Sequence, residues 1–376
     1  MKLFDVYSLF DITPVKGEGC FIWDDQGNKY LDFYGGHAVI SIGHSHPHYV
    51  ERLTAQINKI GFYSNSVQNP MQHELATKLG ELCELPDYHL FLCNSGAEAN
   101  ENALKLASFH TGRSKVVAFE KGFHGRTSGV VAATDNQALI SPFNAHHEIS
   151  ILPFNDLEKV EEELRQRDVA AVIIEGIQGI GGIHVPDAAF LQELKKVCTK
   201  YGTVLVLDEI QSGYGRSGKF FAFQYADVQP DLITVAKGMG NGFPVGGVLI
   251  APEFKAKKGL LGTTFGGNYL ACAASLAVLE VMKAESLIDH SRLMGDYLLG
   301  NLKKLPTFKE LRGVGLMLGI ECHENISALR MHLLNENRIF TGVSGTNTIR
   351  LLPPMTLLQV HADYLLSSLQ DAVNNT

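Results

Sequence analysis

The sequence predicts an α/β protein built around a mainly parallel central sheet. From about Leu90 to Ile250, short runs rich in Val, Ile, Leu and Phe alternate with longer stretches of helical period, which is the pattern of a sheet whose strands are joined by crossover helices. Most of these runs are continuously apolar, as strands covered on both faces must be. At 376 residues, the chain is also long enough for two domains.

The predicted elements follow one another in a simple order. Gly19–Phe33 alternates in polarity around a turn at Asp24–Gly27 and is predicted to form a β-hairpin of an amino-terminal segment. A long helix is predicted from Asn268 to Ala284, and the region from roughly Ser291 onward is expected to form a separate α/β unit with a strand at Gly313–Glu321. Between them lie seven predicted strands: His89–Cys93, Lys115–Phe119, Ile149–Pro153, Ala171–Ile177, Thr203–Asp208, Asp231–Ala236 and Gly247–Ala251.

Composition and charge argue against several classes of protein. The net charge of −8 and the pI near 6.0 disfavour non-specific binding of nucleic acid, which depends on Lys and Arg neutralising phosphates. The six cysteines are scattered without a C-x-x-C pair, so neither a zinc ribbon nor a disulfide scaffold is predicted. Asp5 and Asp11 interrupt the apolar stretch that a secretory signal would need, and no run of roughly eighteen apolar residues follows. We therefore expect a cytoplasmic protein without a membrane partner.

Ligands of open α/β sheets bind beyond the carboxyl ends of the strands, so polar residues that follow an apolar run are candidates for a site. After His89–Cys93, small residues lead into a helix that is predicted to start near Ala97 and run to about Phe109. Small residues at a helix start leave amide groups free to bind a phosphate. Ser95 and Gly96 are therefore candidate phosphate-binding residues, although Ser95 also suits a simple helix cap.

Three further junctions carry polar or ionisable groups. Asp208 and Glu209 end a strand, where an acid can keep a cofactor's pyridine nitrogen protonated, although such acids also bind metals or cap helices. Lys237 ends the strand Asp231–Ala236 before a glycine-rich turn; it can bind a cofactor covalently, or its stem can simply cover the strand end. Gly262–Asn268 places hydroxyls and glycines before a helix, which suits a phosphate or a cap.

Gly213–Phe220 is a candidate nucleotide site, because it satisfies G-x-G-x-x-G and begins like a phosphate-binding P-loop. Both patterns fail on context. Phe220 stands where the P-loop needs Ser or Thr, and Asp208–Ser212 separates the preceding strand from the first glycine. Nucleotide chemistry is therefore not the favoured prediction.

Three alternating histidines are a candidate metal site. Pro47 interrupts their spacing, and no acid or cysteine nearby in the sequence completes a ligand shell. No metal is predicted at these residues, which are His44, His46 and His48.

The four junctions come in the order and with the residue choices of class III, ornithine-type aminotransferases. The match extends to Gly35–Pro47 (GGHAVISIGHSHP) and to Phe123–Thr127 (FHGRT), and it covers nearly the whole chain. This resemblance implies pyridoxal 5'-phosphate as cofactor and the fold-type I transferase fold. It also implies a large domain over residues 51–285 and a small α/β domain formed by residues 1–50 and 286–376.

The resemblance also implies roles for individual residues. Lys237 resembles the lysine that binds the cofactor covalently, Asp208 the partner of its pyridine nitrogen, and Gln211 the contact of its phenolic oxygen. The other implied contacts are Gly96 and Ala97 for the cofactor phosphate, Phe123 stacked on the ring, Arg126 on a substrate carboxylate, Thr263 near the substrate, and Thr264 on the phosphate of a neighbouring subunit. The active sites are therefore expected at a homodimer interface, and the catalytic residues are expected to be Lys237 and Asp208.

The implied reaction is transfer of an amino group from N-acetylornithine, or another N-acylornithine, to 2-oxoglutarate in arginine biosynthesis. N-succinylornithine, ornithine and 4-aminobutyrate are alternative donors within the family, because residues around the cofactor do not separate them. A binding protein of the same fold without enzymatic activity would require loss of Lys237, Asp208 or Arg126, and all three are present.

The sequence departs from the family at two positions. Gly176 stands where relatives usually carry Pro, and Ile180 stands where they usually carry Glu. In those relatives the glutamate pairs with an arginine of the carboxy-terminal domain, which Arg350 resembles, and masks it during the amino-donor half-reaction. Ile180 cannot do this, so Arg350 is expected either to bind a substrate carboxylate in both half-reactions or to recruit another acid.

Overall fold

The structure, a computed structural model, describes residues 1–305 and 308–374 and contains two seven-stranded sheets. In chain order the strands are β1 Pro14–Glu18, β2 Phe21–Asp24, β3 Lys29–Phe33, β4 His89–Cys93, β5 Lys115–Phe119, β6 Ile149–Leu152, β7 Val169–Glu175, β8 Val204–Asp208, β9 Leu232–Val235, β10 Gly246–Ile250, β11 Glu310–Val314, β12 Met317–Glu321, β13 Ile339–Ser344 and β14 Thr348–Leu351.

The helices agree with the predicted pattern. The predicted helix Asn268–Ala284 is confirmed, with the Asn268 side chain capping it by accepting a hydrogen bond from the amide of Ala271. The helix predicted from Ala97 to Phe109 is also confirmed, and it is slightly longer than predicted. In chain order the α-helices are α1 Pro47–Ile57, α2 Pro70–Leu82, α3 Gly96–Thr111, α4 Ser128–Ala132, α5 Leu157–Leu164, α6 Ala188–Tyr201, α7 Tyr269–Ala284, α8 Leu287–Leu302, α9 Ser327–Asn335 and α10 Gln359–Asn374.

The central sheet has the order β4-β10-β9-β8-β7-β5-β6. Five strands, β9, β8, β7, β5 and β6, run parallel to one another. The strand β10 is antiparallel to both of its neighbours, β4 and β9. The prediction of a mainly parallel sheet is therefore confirmed, and no predicted strand of this sheet differs from the observed one by more than two residues at either end. Parallel pairing brings the carboxyl ends of β7, β8 and β9 to one edge of the sheet.

Both faces of the central sheet are covered, which explains its continuously apolar strands. All seven residues of β7 are buried. Ile173 belongs to an apolar cluster with Ala103 of α3, whereas its neighbour Ile174 belongs to another cluster with Leu194 of α6. Because successive side chains of a strand point to opposite faces, a strand covered on both sides needs an apolar residue at each position.

The second sheet combines strands from both ends of the chain in the order β1-β2-β3-β13-β14-β12-β11. The predicted hairpin is confirmed as the antiparallel pair β2 and β3, whereas β1 was not predicted. The strand β3 pairs in parallel with β13, so the amino-terminal segment and the carboxy-terminal region share one sheet. The boundaries of the proposed domains, at residues 50 and 285, stay a prediction.

The prediction of a single strand over Gly313–Glu321 is wrong. The segment contains the end of β11 and the whole of β12, which form an antiparallel hairpin. Gly315 lies between the two strands with a φ of +57°, in the left-handed region that glycine adopts without strain. The residues on either side of Gly315 are the apolar Val314 and Leu316, so the sequence resembles one uninterrupted strand. No polar turn residue marks the reversal.

The turn at Gly315 packs against the loop that follows β8. The amide of Leu316 donates to the carbonyl of Arg216 at 2.9 Å, and the buried guanidinium of Arg216 donates to the carbonyls of Leu316 and Pro353 at 3.1 and 2.7 Å. Another N–H group of Arg216 donates to the carbonyl of Ile40 at 3.2 Å. The glycine-rich segment Gly213–Phe220, which resembles a nucleotide motif in sequence, therefore joins the central sheet to segments from both ends of the chain.

We predict that Gly315→Ala destabilises the protein more than Gly345→Ala does. Both glycines have φ near +55°, so alanine costs about 1–2 kcal/mol at either site. At Gly315 an added Cβ would also lie 2.5 Å from the backbone carbon of Ser217, whereas at Gly345 it would meet no atom within 4 Å. Thermal unfolding should show the larger decrease in Tm for Gly315→Ala, and equal decreases would contradict the packing described.

Candidate active site

A cavity of about 420 Å³ lies at the carboxyl edge of the central sheet. It is bounded by the ends of β7, β8 and β9, by the amino terminus of α3, and by the loops after β5 and β7. Eight of the candidate cofactor- and substrate-binding residues line it together: Ser95, Gly96, Ala97, Phe123, Arg126, Asp208, Gln211 and Lys237. The residues identified in the sequence therefore form one site, although the segments that carry them are far apart in the chain.

Asp208 lies at the floor of this cavity and is held by three donors. One carboxylate oxygen accepts hydrogen bonds from Nδ2 of Asn100 and Nδ1 of His124, both at 2.8 Å, and the other accepts from the amide of Ile210 at 3.1 Å. Asn100 is itself fixed because its Oδ1 accepts a hydrogen bond from the hydroxyl of Thr234 at 2.6 Å. The Asp208 side chain is therefore buried, oriented and able to act as a fixed negative group.

Glu175 is a second buried acid, which sequence reasoning missed. It ends β7 and pairs in register with Asp208 at the end of β8. Its two oxygens accept hydrogen bonds from the amides of Phe123 and Gly179, at 3.0 and 2.8 Å. Burial, reinforced by the charge of Asp208, raises the pKa of Glu175 to about 7. Glu175 thus fixes both loops that form the wall of the cavity.

Lys237 follows β9 and lines the cavity from the same edge of the sheet. Burial lowers the pKa of its ammonium group, and the charges of Arg350 and Arg216 lower it further, whereas Asp208 and Glu175 oppose the shift. A lowered pKa favours the neutral amine, which is the nucleophilic form. The backbone of Lys237 has a φ of +43°, an uncommon conformation for a residue with a side chain.

The amino terminus of α3 forms a further wall. The hydroxyl of Ser95 accepts a hydrogen bond from the amide of Glu98 at 3.2 Å, so Ser95 caps the helix. The carboxylate of Glu98 in turn accepts from the amide and the side chain of Asn94, at 2.8 and 2.9 Å. The first amides of a helix have no carbonyl partner within it, so those of Gly96 and Ala97 are suited to a phosphate.

Thr263 and Thr264 do not line the cavity. The hydroxyl of Thr263 accepts hydrogen bonds from Nδ2 of Asn94 at 3.1 Å and from the amide of Gly266 at 3.2 Å, so it braces the region beside α3. Thr264 is exposed. The chain alone therefore does not bring Thr264 to the cofactor cavity, and its contact with a neighbouring subunit stays a prediction.

The two arginines expected to bind substrate differ in exposure. Arg126 lines the cavity and is exposed, and no carboxylate within the described ranges 1–305 and 308–374 forms an ion pair with it. Arg350 is 2% exposed and does not line the cavity. Its guanidinium donates to the carbonyl of Val343 at 2.9 Å, to that of Gly179 at 3.2 Å and to Oε1 of Gln211 at 3.3 Å. All three partners are uncharged, so no described residue replaces the missing glutamate with another acid.

The three alternating histidines each contact a different carboxylate. The acids are distant in the sequence, which is why they were not predicted. Among residues 1–305 and 308–374, no three side chains of His, Cys, Asp or Glu form a group that could hold a metal ion. The three pairs are His44 with Asp32 at 2.8 Å, His46 with Glu285 at 2.9 Å and His48 with Glu280 at 2.7 Å.

The residues around the cavity fit a flat, anionic ring cofactor. The cavity has a helix amino terminus for a phosphate, an aromatic wall at Phe123, a buried acid at Asp208 and a mostly buried amine at Lys237. A fixed acid and an amine of lowered pKa in one cavity are the two groups that a pyridine aldehyde requires, because the protonated ring nitrogen needs an anion and the aldehyde needs a neutral amine.

Comparison with known proteins agrees with this geometry. The family model for aminotransferase class III matches residues 5–373. The acetylornithine aminotransferase of Bacillus cereus is 41% identical over 360 residues, which cover 94% of this chain and 92% of the relative. The acetylornithine aminotransferase of Archaeoglobus fulgidus is 38% identical over 364 residues, which cover 96% of this chain and 95% of the relative.

Solved structures show the same fold. The acetylornithine aminotransferase of Elizabethkingia anophelis aligns with a TM-score of 0.85 at 30% identity and covers 98% of this chain and 95% of its own. The ornithine aminotransferase of Toxoplasma gondii, which has pyridoxal phosphate at partial occupancy in its active site, aligns with a TM-score of 0.91 at 28% identity and covers 98% and 91%.

The protein is therefore an aminotransferase that uses pyridoxal 5'-phosphate. The chain belongs to the class III aminotransferases. The resemblance found in the sequence is thus confirmed, together with the fold and the cofactor that it implied. The roles of individual residues toward the cofactor and the substrates stay predictions. Among residues 1–305 and 308–374 there is no helix long and apolar enough to cross a membrane.

We predict that Lys237→Ala abolishes transamination and removes the visible absorbance of covalently bound cofactor, while the protein remains folded. The same amine is expected to anchor the cofactor and to transfer the proton, so its loss should lower kcat by roughly 100-fold or more. Circular dichroism checks the fold, and Lys121→Ala, at an exposed lysine outside this cavity, is the matched control. Full turnover by Lys237→Ala would exclude Lys237 as the catalytic lysine.

We also predict that Asp208→Asn lowers kcat by roughly 100-fold or more while expression is largely retained, because an amide cannot keep the ring nitrogen protonated. Asp231→Asn is a suitable control, since Asp231 pairs with Lys195 and with the amide of Leu205 near the opposite end of the sheet. The control should reduce Tm without reducing kcat of the folded enzyme. An unchanged kcat for Asp208→Asn would remove Asp208 from the mechanism.

Proposed function

We propose that the protein transfers the terminal amino group of an N-acylornithine to 2-oxoglutarate, giving the N-acyl-glutamate semialdehyde and glutamate in arginine biosynthesis. The main support is the 41% identity with an acetylornithine aminotransferase over nearly the whole of both chains. The cavity adds a chemical argument. Arg126 lines the cavity together with Lys237, and the buried Arg350 donates to Gln211, which also lines it. Two arginines suit the two carboxylates of 2-oxoglutarate.

Different residues of the chain have separate roles in the proposed reaction. Pyridoxal phosphate, when bound, supplies an electron sink for the carbon that loses a proton. In our proposal Lys237 moves that proton as base and then as acid, and Asp208 keeps the ring nitrogen positively charged. Phe123 covers the ring, the first amides of α3 bind the phosphate, and Arg126 binds a carboxylate of the substrate. Donor and acceptor then react in turn, in ping-pong order.

The proposal includes a homodimer with active sites at the subunit interface. Thr264 is exposed in the single chain, beside α3, where a residue of one subunit could serve the phosphate site of the other. Phe62 and Phe265, whose ring centroids are 5.3 Å apart, add exposed apolar surface next to it. The cytoplasmic location stays a prediction from the sequence.

N-succinylornithine is a second candidate donor, and a specific observation favours it. Ile180 lines the cavity where relatives usually carry a glutamate, and within the described residues Arg350 has no carboxylate partner. An acyl group that ends in a carboxylate could use this uncompensated positive charge. N-acetylornithine remains the principal candidate because the relatives are acetylornithine aminotransferases. Ornithine and 4-aminobutyrate are further alternatives within the family.

The test is a comparison of kcat/KM for N-acetylornithine, N-succinylornithine, ornithine and 4-aminobutyrate, each with 2-oxoglutarate. We expect at least one acyl-ornithine to exceed both unacylated donors by tenfold or more. A preference for ornithine or 4-aminobutyrate would contradict the proposed function and leave the aminotransferase class intact.

We predict that Ile180→Glu raises KM for 2-oxoglutarate by roughly tenfold, about 1.4 kcal/mol, because the new carboxylate pairs with Arg350 and must be displaced. Residue 180 follows Gly179, whose carbonyl already contacts that guanidinium. Ile180→Gln is the matched control, since it has the same length without the charge. If N-succinylornithine also binds Arg350, Ile180→Glu should lower kcat/KM for N-succinylornithine more than for N-acetylornithine. Equal decreases for the two donors would show that N-succinylornithine does not bind Arg350.

A further inference from the structure

The side chain of Gln211 lies between Arg350 and the amino-terminal segment. Its Oε1 accepts a hydrogen bond from Nη1 of Arg350 at 3.3 Å, and its Nε2 donates to the carbonyl of His37 at 3.2 Å. The two partners fix the orientation of the amide, because a guanidinium only donates and a carbonyl only accepts. One N–H group of Gln211 remains for the cofactor contact that the family resemblance implies.

The surrounding backbone is shaped to hold this amide. A Cβ built on Gly179 would lie 1.8 Å from Oε1 of Gln211, so only glycine allows the close approach. On the other side, four consecutive residues from Gly35 to Ala38 have φ between +54° and +67°, which turns the carbonyl of His37 toward Gln211. Asp32 supports that turn by accepting hydrogen bonds from the amides of Tyr34 and Gly35, at 2.9 and 2.8 Å.

The electrostatic consequence concerns the charge of Arg350. A glutamate partner would neutralise this guanidinium, and a substrate carboxylate would then have to displace another carboxylate. An amide satisfies the N–H group but adds no negative charge. Burial lowers the pKa of Arg350 from its usual value, although the charges of Tyr34 and Glu175 oppose this shift. A carboxylate is a stronger acceptor for a guanidinium than an amide oxygen is, so exchange of one for the other is favourable.

We propose that Gln211 is the uncharged, displaceable partner of Arg350: its amide oxygen holds the guanidinium in the substrate-free enzyme and yields it to a substrate carboxylate in either half-reaction. Gln211 is thus a specificity-determining residue in this chain, in addition to any contact with the cofactor. The inference rests on the proposed function only in assigning a substrate carboxylate to Arg350.

The experiment measures binding of glutarate and valerate to the cofactor-loaded enzyme by calorimetry. Both have five carbons, glutarate carries two carboxylates and valerate one, and neither can be transaminated. In the wild type, glutarate should bind at least tenfold more tightly. In Gln211→Glu, whose carboxylate would pair with Arg350, this advantage should fall to twofold or less. In Gln211→Met, which removes the amide without adding a charge, the advantage should remain.

Two results would overturn the proposal: retention of the glutarate advantage in Gln211→Glu, or its loss in Gln211→Met to the same extent as in Gln211→Glu. The second result would show that the amide only supports the shape of the site. Cofactor content, measured by absorbance, separates loss of ligand binding from loss of cofactor. Arg330→Gln is the control for a nearby positive charge, because Arg330 binds the carbonyl of Thr341, and should change the ratio less than twofold.

Failure of this proposal and failure of the proposed function are distinguishable. Glutarate binding does not depend on which amino donor the enzyme uses. An enzyme that shows the expected binding pattern but does not accept acyl-ornithines would contradict the proposed function alone, and the opposite combination would contradict the role of Gln211 alone.

Discussion

The site depends on the register between β7, β8 and β9. Pairing of Glu175 with Asp208, and of Asp208 with Thr234, places the ends of three strands side by side at one edge of the sheet. A shift of one residue in any of these strands would turn its terminal side chain to the other face. The register itself is fixed by packing on both faces, since every residue of β7 and β8 is buried. The hydrophobic core therefore sets the positions of the polar groups.

That arrangement concentrates charge where water is largely excluded. The acids Glu175 and Asp208 lie near Lys237, and the guanidinium groups of Arg216 and Arg350 lie close enough to lower the pKa of Lys237. The charged groups around Lys237 are held by hydrogen bonds: Asp208 by Asn100 and His124, and Arg216 and Arg350 mainly by carbonyls. Burial of such charges is unfavourable, so the surrounding donors and acceptors must be in place before the amine can work as a nucleophile. The site and the fold are therefore interdependent.

The sequence predicted most of the fold and the groups that follow each strand, because both depend on local patterns. Continuous apolar runs identified the strands, and the rule that ligands bind beyond their carboxyl ends identified Asp208 and Lys237. Glu175 was missed because the apolar Ile177 follows it two residues later. The predicted strand therefore extended to Ile177, two residues too far, and Glu175 was expected inside the strand rather than at its end. Asn100 and His124 lie on a helix and in a loop, and only the tertiary fold brings them to Asp208.

The partner of Arg350 likewise depends on the tertiary fold and could not be predicted from the sequence. The substitution at Ile180 revealed that an acid is missing, but the replacement depends on the backbone at Gly179 and at His37, which no periodic pattern encodes. The turn at Gly315 was missed for a similar reason, since the segment contains three glycines among apolar residues and nothing local marks which of them reverses the chain. Local patterns thus located the functional segments, and long-range packing determined which groups within them interact.

The central claim is that Lys237, at the end of β9, is the covalent anchor of pyridoxal phosphate. Reduction of the cofactor-loaded protein with borohydride, followed by proteolysis and mass spectrometry, tests it most directly. A stable pyridoxyl group is expected on the peptide that contains Lys237. A pyridoxyl group mainly on another lysine of the folded protein would contradict it.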